Sequence, residues 1–400
     1  MNTALTAAAS GSAVGANDRV SIGFIGTGTR GSYMSTVAEE HDDCRIAAMC
    51  DVYKPTLEAA AGKLKTGGVS SYGDYRRVLE RNDIDAVFIA TPDHWHAQMI
   101  IEAAKAGKDA YCEKPLSNTI EDGWKAVEAA RAYKRIVQIG LQQRSWDHFQ
   151  KCCGLVQSGM FGTIFHCQLH WQGYYTRPAQ PPAPVPEGLD WELFQGPAPR
   201  RPYSPGRRGW RSYYDYGGGI ITDQGVHIAD VVAWYMKTRA PISVSGSGQY
   251  VQVLPPNLEC PPDSFQITAK FDNFVMSYSN AYFPQIDYPA DQGNYFYGSL
   301  GALHVNRQSY TYRPTPGRPV RGQAPAPPPF EPFNTKFPYV GKPADLAHIR
   351  NWLDCIKTRA TPTTDAETGF YSTLPLLMGL LAIRTGKTYY WDDRSHTAKA

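Results

Sequence analysis

A chain of 400 residues exceeds one typical hydrophobic core and suits two domains. A formal net charge of only +3 provides no broad cationic field, so no nucleic acid and no anionic membrane surface is expected as a partner. The eight cysteines form no C-x-x-C pair and no Cys/His spacing suited to zinc; they are expected as buried thiols, with no disulfide frame and no metal.

Met1 to Ala16 consists mainly of Ala, Gly, Ser and Thr. Residues 1–17 are expected to be a flexible tail or the remnant of an export signal, which gives a periplasmic or secreted protein, with a cytoplasmic protein as the alternative. No later run approaches the roughly eighteen apolar residues a membrane helix needs, so no membrane span is expected.

Arg19 to Ile25 reads as an apolar strand that runs straight into Gly26-Thr27-Gly28-Thr29-Arg30-Gly31. A helix-compatible stretch follows, and a second strand, Arg45 to Cys50, ends on Asp51, twenty residues past Gly31. This is a dinucleotide fingerprint in its full context: Gly26 for the tight turn, Gly28 for close approach of a pyrophosphate, Gly31 for helix–strand packing. The helix start presents free N–H groups to the phosphates. Asp51 would accept from the adenosine ribose hydroxyls and repel a 2′-phosphate, which favours NAD over NADP, although Arg30 and Lys54 lie nearby.

An αβ rhythm continues through a helix at 54–65, a short one opened by Tyr72 to Tyr75, a strand at 86–90, a helix at 97–106, a strand at 109–112, a helix at 121–133 and a strand at 136–140. Such alternation builds a doubly wound parallel Rossmann sheet over residues 18–141, with ligands at the C-terminal strand ends. Beyond residue 142 the period changes to two: 165–171, 243–253, 265–271 and 275–282 alternate as antiparallel strands do. The Pro-rich stretches 178–186 and 314–332 read as extended surface loops, and helices return at 345–357 and 366–384. Residues 142–392 are therefore expected to form an α+β domain, an open and mostly antiparallel sheet with helices on one face, followed by a tail at 393–400. Of the 25 Tyr and 9 Trp, many fall between residues 170 and 312, where ordinary packing accounts for most and sugar stacking for a few.

Two segments carry candidate chemistry. Glu113-Lys114-Pro115 follows a strand at the switch-point crevice, so Lys114 would face the reactive end of the cofactor, with Pro115 fixing the chain direction. In Gly217 to Asp230, Asp223 and His227 stand four apart on an apparent helix, where a carboxylate can orient an imidazole and raise its basicity. Taken alone, that segment fits a helix-capping Asp and a core His better.

Together with Thr91-Pro92-Asp93-His94-Trp95-His96, these motifs resemble the Gfo/Idh/MocA oxidoreductases over residues 18 to 392. Asp190-Trp191, Gly196-Pro197, His348 to Trp352 and Tyr390 to Asp392 make it similar to the branch with secreted or periplasmic members. The resemblance implies Lys114, Asp223 and His227 as the catalytic group, with His227 as base, Asp223 holding its imidazole and Lys114 donating to the substrate oxygen. It implies a cofactor crevice made by Gly26, Thr27, Gly28, Thr29, Arg30, Gly31, Asp51, Thr91, Pro92, His94, His96, Glu113 and Lys114. It also implies a sugar or glycoside substrate, for which Gln142, Arg144, Trp171, Tyr174, Arg211 and Tyr213 are candidate contacts, and a homo-oligomer, dimer or tetramer, formed through the sheet domain. Three outcomes stay open: net sugar oxidoreduction with NAD, hydrolysis of a glycoside through transient oxidation at C3, and a non-catalytic sugar-binding member. In an exported protein the NAD would have to stay tightly bound.

Overall fold

In the computed structural model, residues 19–173, 175, 180–250, 259–280, 292–315, 327–339 and 341–400 are described. The expected tail at 1–17, Tyr174 and parts of both Pro-rich stretches lie outside the described residues, as do the ends of the expected strands 243–253 and 275–282.

The first sheet contains β1 (Val20–Ile25), β2 (Cys44–Cys50), β3 (Ser70–Tyr72), β4 (Ala86–Ile89), β5 (Asp109–Cys112) and β6 (Val137–Ile139). All pairs are parallel in the order β3-β2-β1-β4-β5-β6, so the strand order reverses between β1 and β4 and opens a crevice at their C-terminal ends. β1, β4 and β5 are buried throughout, as a sheet covered on both faces requires. The three-residue edge strand β3 is too short and too polar for periodicity to have marked it.

The second sheet has ten strands among the described residues. They are β7 (Ile164–His170), β8 (Ser243–Gln249), β9 (Ser264–Lys270), β10 (Val275–Asn280), β11 (Gly293–Gly298), β12 (Gly301–Val305), β13 (Ser309–Pro314), β14 (Phe333–Lys336), β15 (Tyr389–Asp392) and β16 (Thr397–Lys399). The order is β14-β13-β12-β11-β7-β10-β9-β8-β15-β16; β7 and β10 pair parallel and the other pairs are antiparallel. One face carries helices Gly225–Tyr235 and Ala366–Thr385; the other shows Phe165 and Val275 to solvent. Residues 393–400, expected as a tail, instead complete this sheet: β16 pairs with β15, and His396 stacks on Trp124 with ring centres 3.5 Å apart.

Helix Ala366–Thr385 is long and apolar enough to cross a membrane by length and composition alone. Its window is 78% buried, so it is the shared core helix between the layers. Its Phe370, Leu374 and Leu376 join Val87, Ile89, Ala110 and Cys112 of the first sheet in one continuous core. Helix Lys342–Thr358 falls in the second expected domain by sequence, yet its Ile349, Trp352 and Leu353 pack against Phe24, Phe88 and Tyr111 on the outer face of the first sheet. Trp352 is fully buried, edge-on to Phe88 and Tyr111. Trp352→Ala is therefore expected to lower stability by about 3–5 kcal/mol in chemical denaturation; a loss under about 1 kcal/mol would show that this helix contributes little cover.

Candidate functional site

The Gly-rich turn is held by close backbone packing. Gly26 has φ +83°, and a Cβ on Gly31 would lie 1.9 Å from the Gly26 carbonyl oxygen. The turn passes into helix Thr29–Ala38, whose first residues Thr29 and Arg30 line the crevice with Gly28. Asp51, just past β2, ties this turn down: its carboxylate accepts from Thr27 N (2.7 Å), Thr27 Oγ1 (3.1 Å) and Tyr53 N (2.9 Å). Burial raises the Asp51 carboxyl against those hydrogen bonds.

Arg30 is bound on both sides, its Nε donating to Glu113 (2.7 Å) and its Nη2 to Asp345 at the start of helix Lys342–Thr358 (3.0 Å). His96 lies between the carbonyls of Pro115 (2.6 Å) and Thr91 (2.9 Å) and so clamps the turns after β4 and β5; burial lowers its pKa. Lys114, placed by the end of β5, sends its Nζ into the second domain, donating to the Asp223 carboxylate (2.7 Å) and carbonyl (2.6 Å).

Asp223 ends helix Gly219–Asp223, and His227 belongs to the next helix, Gly225–Tyr235. The break at Gln224 removes the i, i+4 relation, so Asp223 does not hold the imidazole as expected. Its carboxylate instead gathers Lys114, the hydroxyl of Tyr175 (2.7 Å), Gln224 Nε2 (2.9 Å) and Arg211 Nε (3.4 Å). Burial alone would raise that carboxyl, but Lys114 and Arg211 hold it well below its usual range. His227 is buried, its Nδ1 without a hydrogen-bond partner. Burial, then the charges of Lys114, Arg307 and Arg30, hold its pKa well below the ordinary 6.5, and the imidazole is neutral.

These groups share one cleft of about 630 Å³. Gly26, Gly28, Thr29, Arg30, Asp51, Thr91, Pro92, His96, Glu113 and Lys114 line its nucleotide end, and Gln142, Arg211, Asp223 and His227 the other. Thr27 and Gly31 stand behind the lining, as a support for Asp51 and a packing glycine. His94 does not face the cleft as expected: its Nε2 bonds the Phe194 carbonyl (3.1 Å) against Tyr216, because its helix turns that face toward the second domain.

Two expected substrate contacts are used elsewhere. Arg144 forms a buried pair with Asp230 (2.7 Å), and Tyr213 is buried with Trp191, Phe194 and Tyr216 under the guanidinium of Arg207. Trp171 lies in an adjoining cavity of about 370 Å³ that Arg307 and Tyr339 connect to the cleft.

Sequence reasoning missed Asp93, Tyr175, Arg307, Tyr339 and Asp345. Asp93 sat inside a motif already noted; the others come from loops and a helix start with no local pattern. Asp93 is buried with both carboxyl oxygens unpartnered, and burial, then Asp223, raises it well above the carboxylate range. The segment after β7 also folds back over the adenosine end: Lys54 N donates to Gly188 O and Asp190 N to Val52 O (both 2.9 Å), and Arg208 stacks on Tyr53.

A parallel nucleotide-binding sheet joined to an open sheet, with a lysine and a carboxylate meeting across the crevice, defines the two-domain class of dinucleotide-binding oxidoreductase folds. Residues 20–141 match the oxidoreductase family with NAD-binding Rossmann fold, and residues 150–251 match that family's C-terminal alpha/beta domain. The chain belongs to the Gfo/Idh/MocA oxidoreductase family.

Among curated relatives, it is 35% identical over 141 residues to the uncharacterized oxidoreductase YrbE of Bacillus subtilis, a match covering 35% of this chain and 41% of that protein. It is 32% identical over 169 residues to a glycosyl hydrolase family 109 protein of Shewanella pealeana, covering 39% of this chain and 37% of that protein. The matches thus span about two fifths of those relatives' length. A levoglucosan dehydrogenase solved with NADH and levoglucosan superposes with TM-score 0.68 at 17% identity, over 92% of this chain and 98% of the other, a likeness of fold.

The cradle fits NAD on its own features: a glycine turn leading into a helix start, and the Asp51 carboxylate at the end of β2 lining the same cleft. Asp51→Ser is expected to weaken NAD binding about tenfold or more, the loss of a charge-assisted hydrogen bond, and to improve relative acceptance of NADP. Fluorescence titration of both nucleotides measures this; an unchanged preference would move the ribose contact elsewhere.

Proposed function

We propose that this protein oxidises a ring hydroxyl of a sugar or glycoside, reversibly, with NAD. The observation that carries the proposal is the meeting of Lys114 and Asp223 beside His227, in the same cleft as the Gly-rich turn and Asp51. Bound NAD would supply the hydride acceptor. His227, kept neutral by burial, is the group able to take the hydroxyl proton. Lys114 Nζ, fixed by two acceptors of Asp223, has a remaining N–H to donate to the same oxygen and offset its developing negative charge. Asp223 thus positions the lysine. Gln142 and Arg211 line the end of the cleft where the sugar would lie, with Trp171 in the adjoining cavity.

A second reading ends in hydrolysis of a glycoside and is supported by Tyr175 and by the name of the family 109 relatives. That route needs another proton-transfer group beside the sugar, and Tyr175 lines the cleft with its hydroxyl on Asp223. Burial and Asp223 push this hydroxyl up to about 12, so Tyr175 suits the acid that protonates the departing aglycone oxygen, not the base that takes the proton from C2.

Incubating the protein and NAD with sugars and chromogenic glycosides, while following NADH and released aglycone, separates the two. NADH without aglycone is the expected result; aglycone without net NADH selects hydrolysis; neither product overturns both. Lys114→Ala is expected to lower turnover at least about a hundredfold with NAD still bound, and activity within a few fold of wild type would remove Lys114 from this role. With the His227 pKa held below 6.5, kcat/KM is expected to stay level as pH falls through the ordinary imidazole range and to drop only beneath it. A half-fall near 6.5 in the pH profile would exclude His227 as the base.

A further inference from the structure

We infer that the substrate end of the cleft holds a carboxylate subsite built on Arg307, so that the sugar taken is an acid, such as a hexuronate. The inference rests on the sugar-oxidising reading above and names its substrate class.

Arg307 stands in the hairpin turn between β12 and β13, where Asn306 Oδ1 accepts from Gln308 N (2.8 Å) and Ser309 Oγ (3.0 Å) and so fixes the loop. The guanidinium is aimed by three contacts: its Nε donates to Gln143 Oε1 (3.1 Å), and it lies 5.0 Å from the ring centre of Trp171 and 6.0 Å from that of Trp146. It lines both the cleft that contains His227 and the adjoining cavity. Such a held, forked cation is preorganised for two parallel N–H···O bonds to a planar anion.

The nearby carboxylates are engaged with other cations and reach Arg307 only from beyond ion-pair distance, Asp345 and Asp223 among them. Arg30 is paired with Glu113 and Asp345, and Lys114 and Arg211 with Asp223. Among the described residues no carboxylate lies within ion-pair distance of Arg307. Asp93, the one carboxyl among the cleft's described lining residues without a hydrogen-bond partner, has its pKa pushed up by burial and by Asp223 and forms no ion pair with Arg307. Burial lowers the Arg307 pKa, against the more distant charges of Asp345 and Asp223, which raise it. A cation removed from water regains that cost when an anion joins it.

The adjoining cavity shows which anion. Among its described lining residues Arg307 is the one charged group, and Gln143, Gln172, Gln292, Asn294 and Asn306 are amides. One guanidinium with neutral amides suits a carboxylate monoanion better than a phosphate dianion. Trp171, which carries the guanidinium on its ring, lines the same cavity.

Calorimetric titration of the NAD-loaded protein with glucuronate, glucose and glucose 6-phosphate tests the subsite without relying on turnover. Glucuronate is expected to bind about tenfold or more tighter than glucose and tighter than glucose 6-phosphate. Arg307→Gln should bring glucuronate and glucose to equal affinity with NAD binding unchanged, and Arg307→Lys should restore part of the preference. The inference is overturned if wild type shows no preference for the acid, if Arg307→Gln keeps that preference, or if its main effect is on NAD. The first comparison needs no variant, so a misfolded Arg307→Gln leaves the inference open to refutation. NADH formation, followed on the same sugars, separates the two claims. Oxidation of glucose as readily as glucuronate overturns the carboxylate subsite alone, whereas selective binding of glucuronate with no NADH from any sugar upholds the subsite and overturns the redox reading.

Discussion

The ammonium of Lys114 and the carboxylate of Asp223 meet 2.7 Å apart across the boundary between the two sheets, and most of the site is arranged around that contact. Both side chains are almost wholly out of water. Bringing two charges there is costly, and removing one partner of such a pair typically costs about 3–5 kcal/mol because the other is left buried and uncompensated. Tyr175, Gln224 and Arg211 therefore crowd the same carboxylate, each satisfying an oxygen that solvent no longer reaches. Their common effect is to keep Asp223 ionised and Lys114 in one position. A neutral His227 beside them follows from the same economy of charge: where cations already stand, a buried imidazole does not take a proton.

A second cross-boundary link works at the nucleotide end. Arg30 joins the Gly-rich turn to Glu113 after β5 and to Asp345 on a helix contributed from far along the chain. The crevice is thus held at both ends by charge pairs between elements distant in sequence, with His96 fastening the two turns between them. At the nucleotide end Arg30 is matched by Glu113 and Asp345, whereas at the substrate end Arg307 has no carboxylate within ion-pair distance among the described residues.

How much of this was legible depended on whether the signal was local. The parallel sheet, the Gly-rich turn and Asp51 were readable because each turn and strand end lies within a short stretch whose spacing has one physical meaning. The open sheet was readable from its period-2 strands, but β11 to β14 were not singled out and the last hairpin passed for a tail: burial alternates along β11 and β12, yet residue type does not follow it, as Tyr295, Phe296 and Tyr297 are all aromatic while only Phe296 is buried. Within the site, residues after strands could be found by position, as Lys114 was. Spacing alone misassigned the partner of Asp223, since the chain breaks at Gln224 and places Asp223 and His227 on separate helices. Arg144 and Tyr213 look like sugar contacts by type and serve as interior supports; Arg307, on a hairpin turn, has no local feature that marks it.

Helix Lys342–Thr358 has a consequence for how this chain comes into being. The first sheet's strands are all made within the first 139 residues, yet Phe24, Phe88 and Tyr111 on its outer face receive part of their cover from Trp352 and Ile349. On the ribosome that apolar face stays partly bare while some two hundred further residues are synthesised, and the Asp345 anchor for Arg30 arrives with the same late helix. The nucleotide crevice, first in the sequence, is therefore among the last parts of the molecule to mature, and a fragment cut at the apparent domain boundary would carry an uncovered hydrophobic surface.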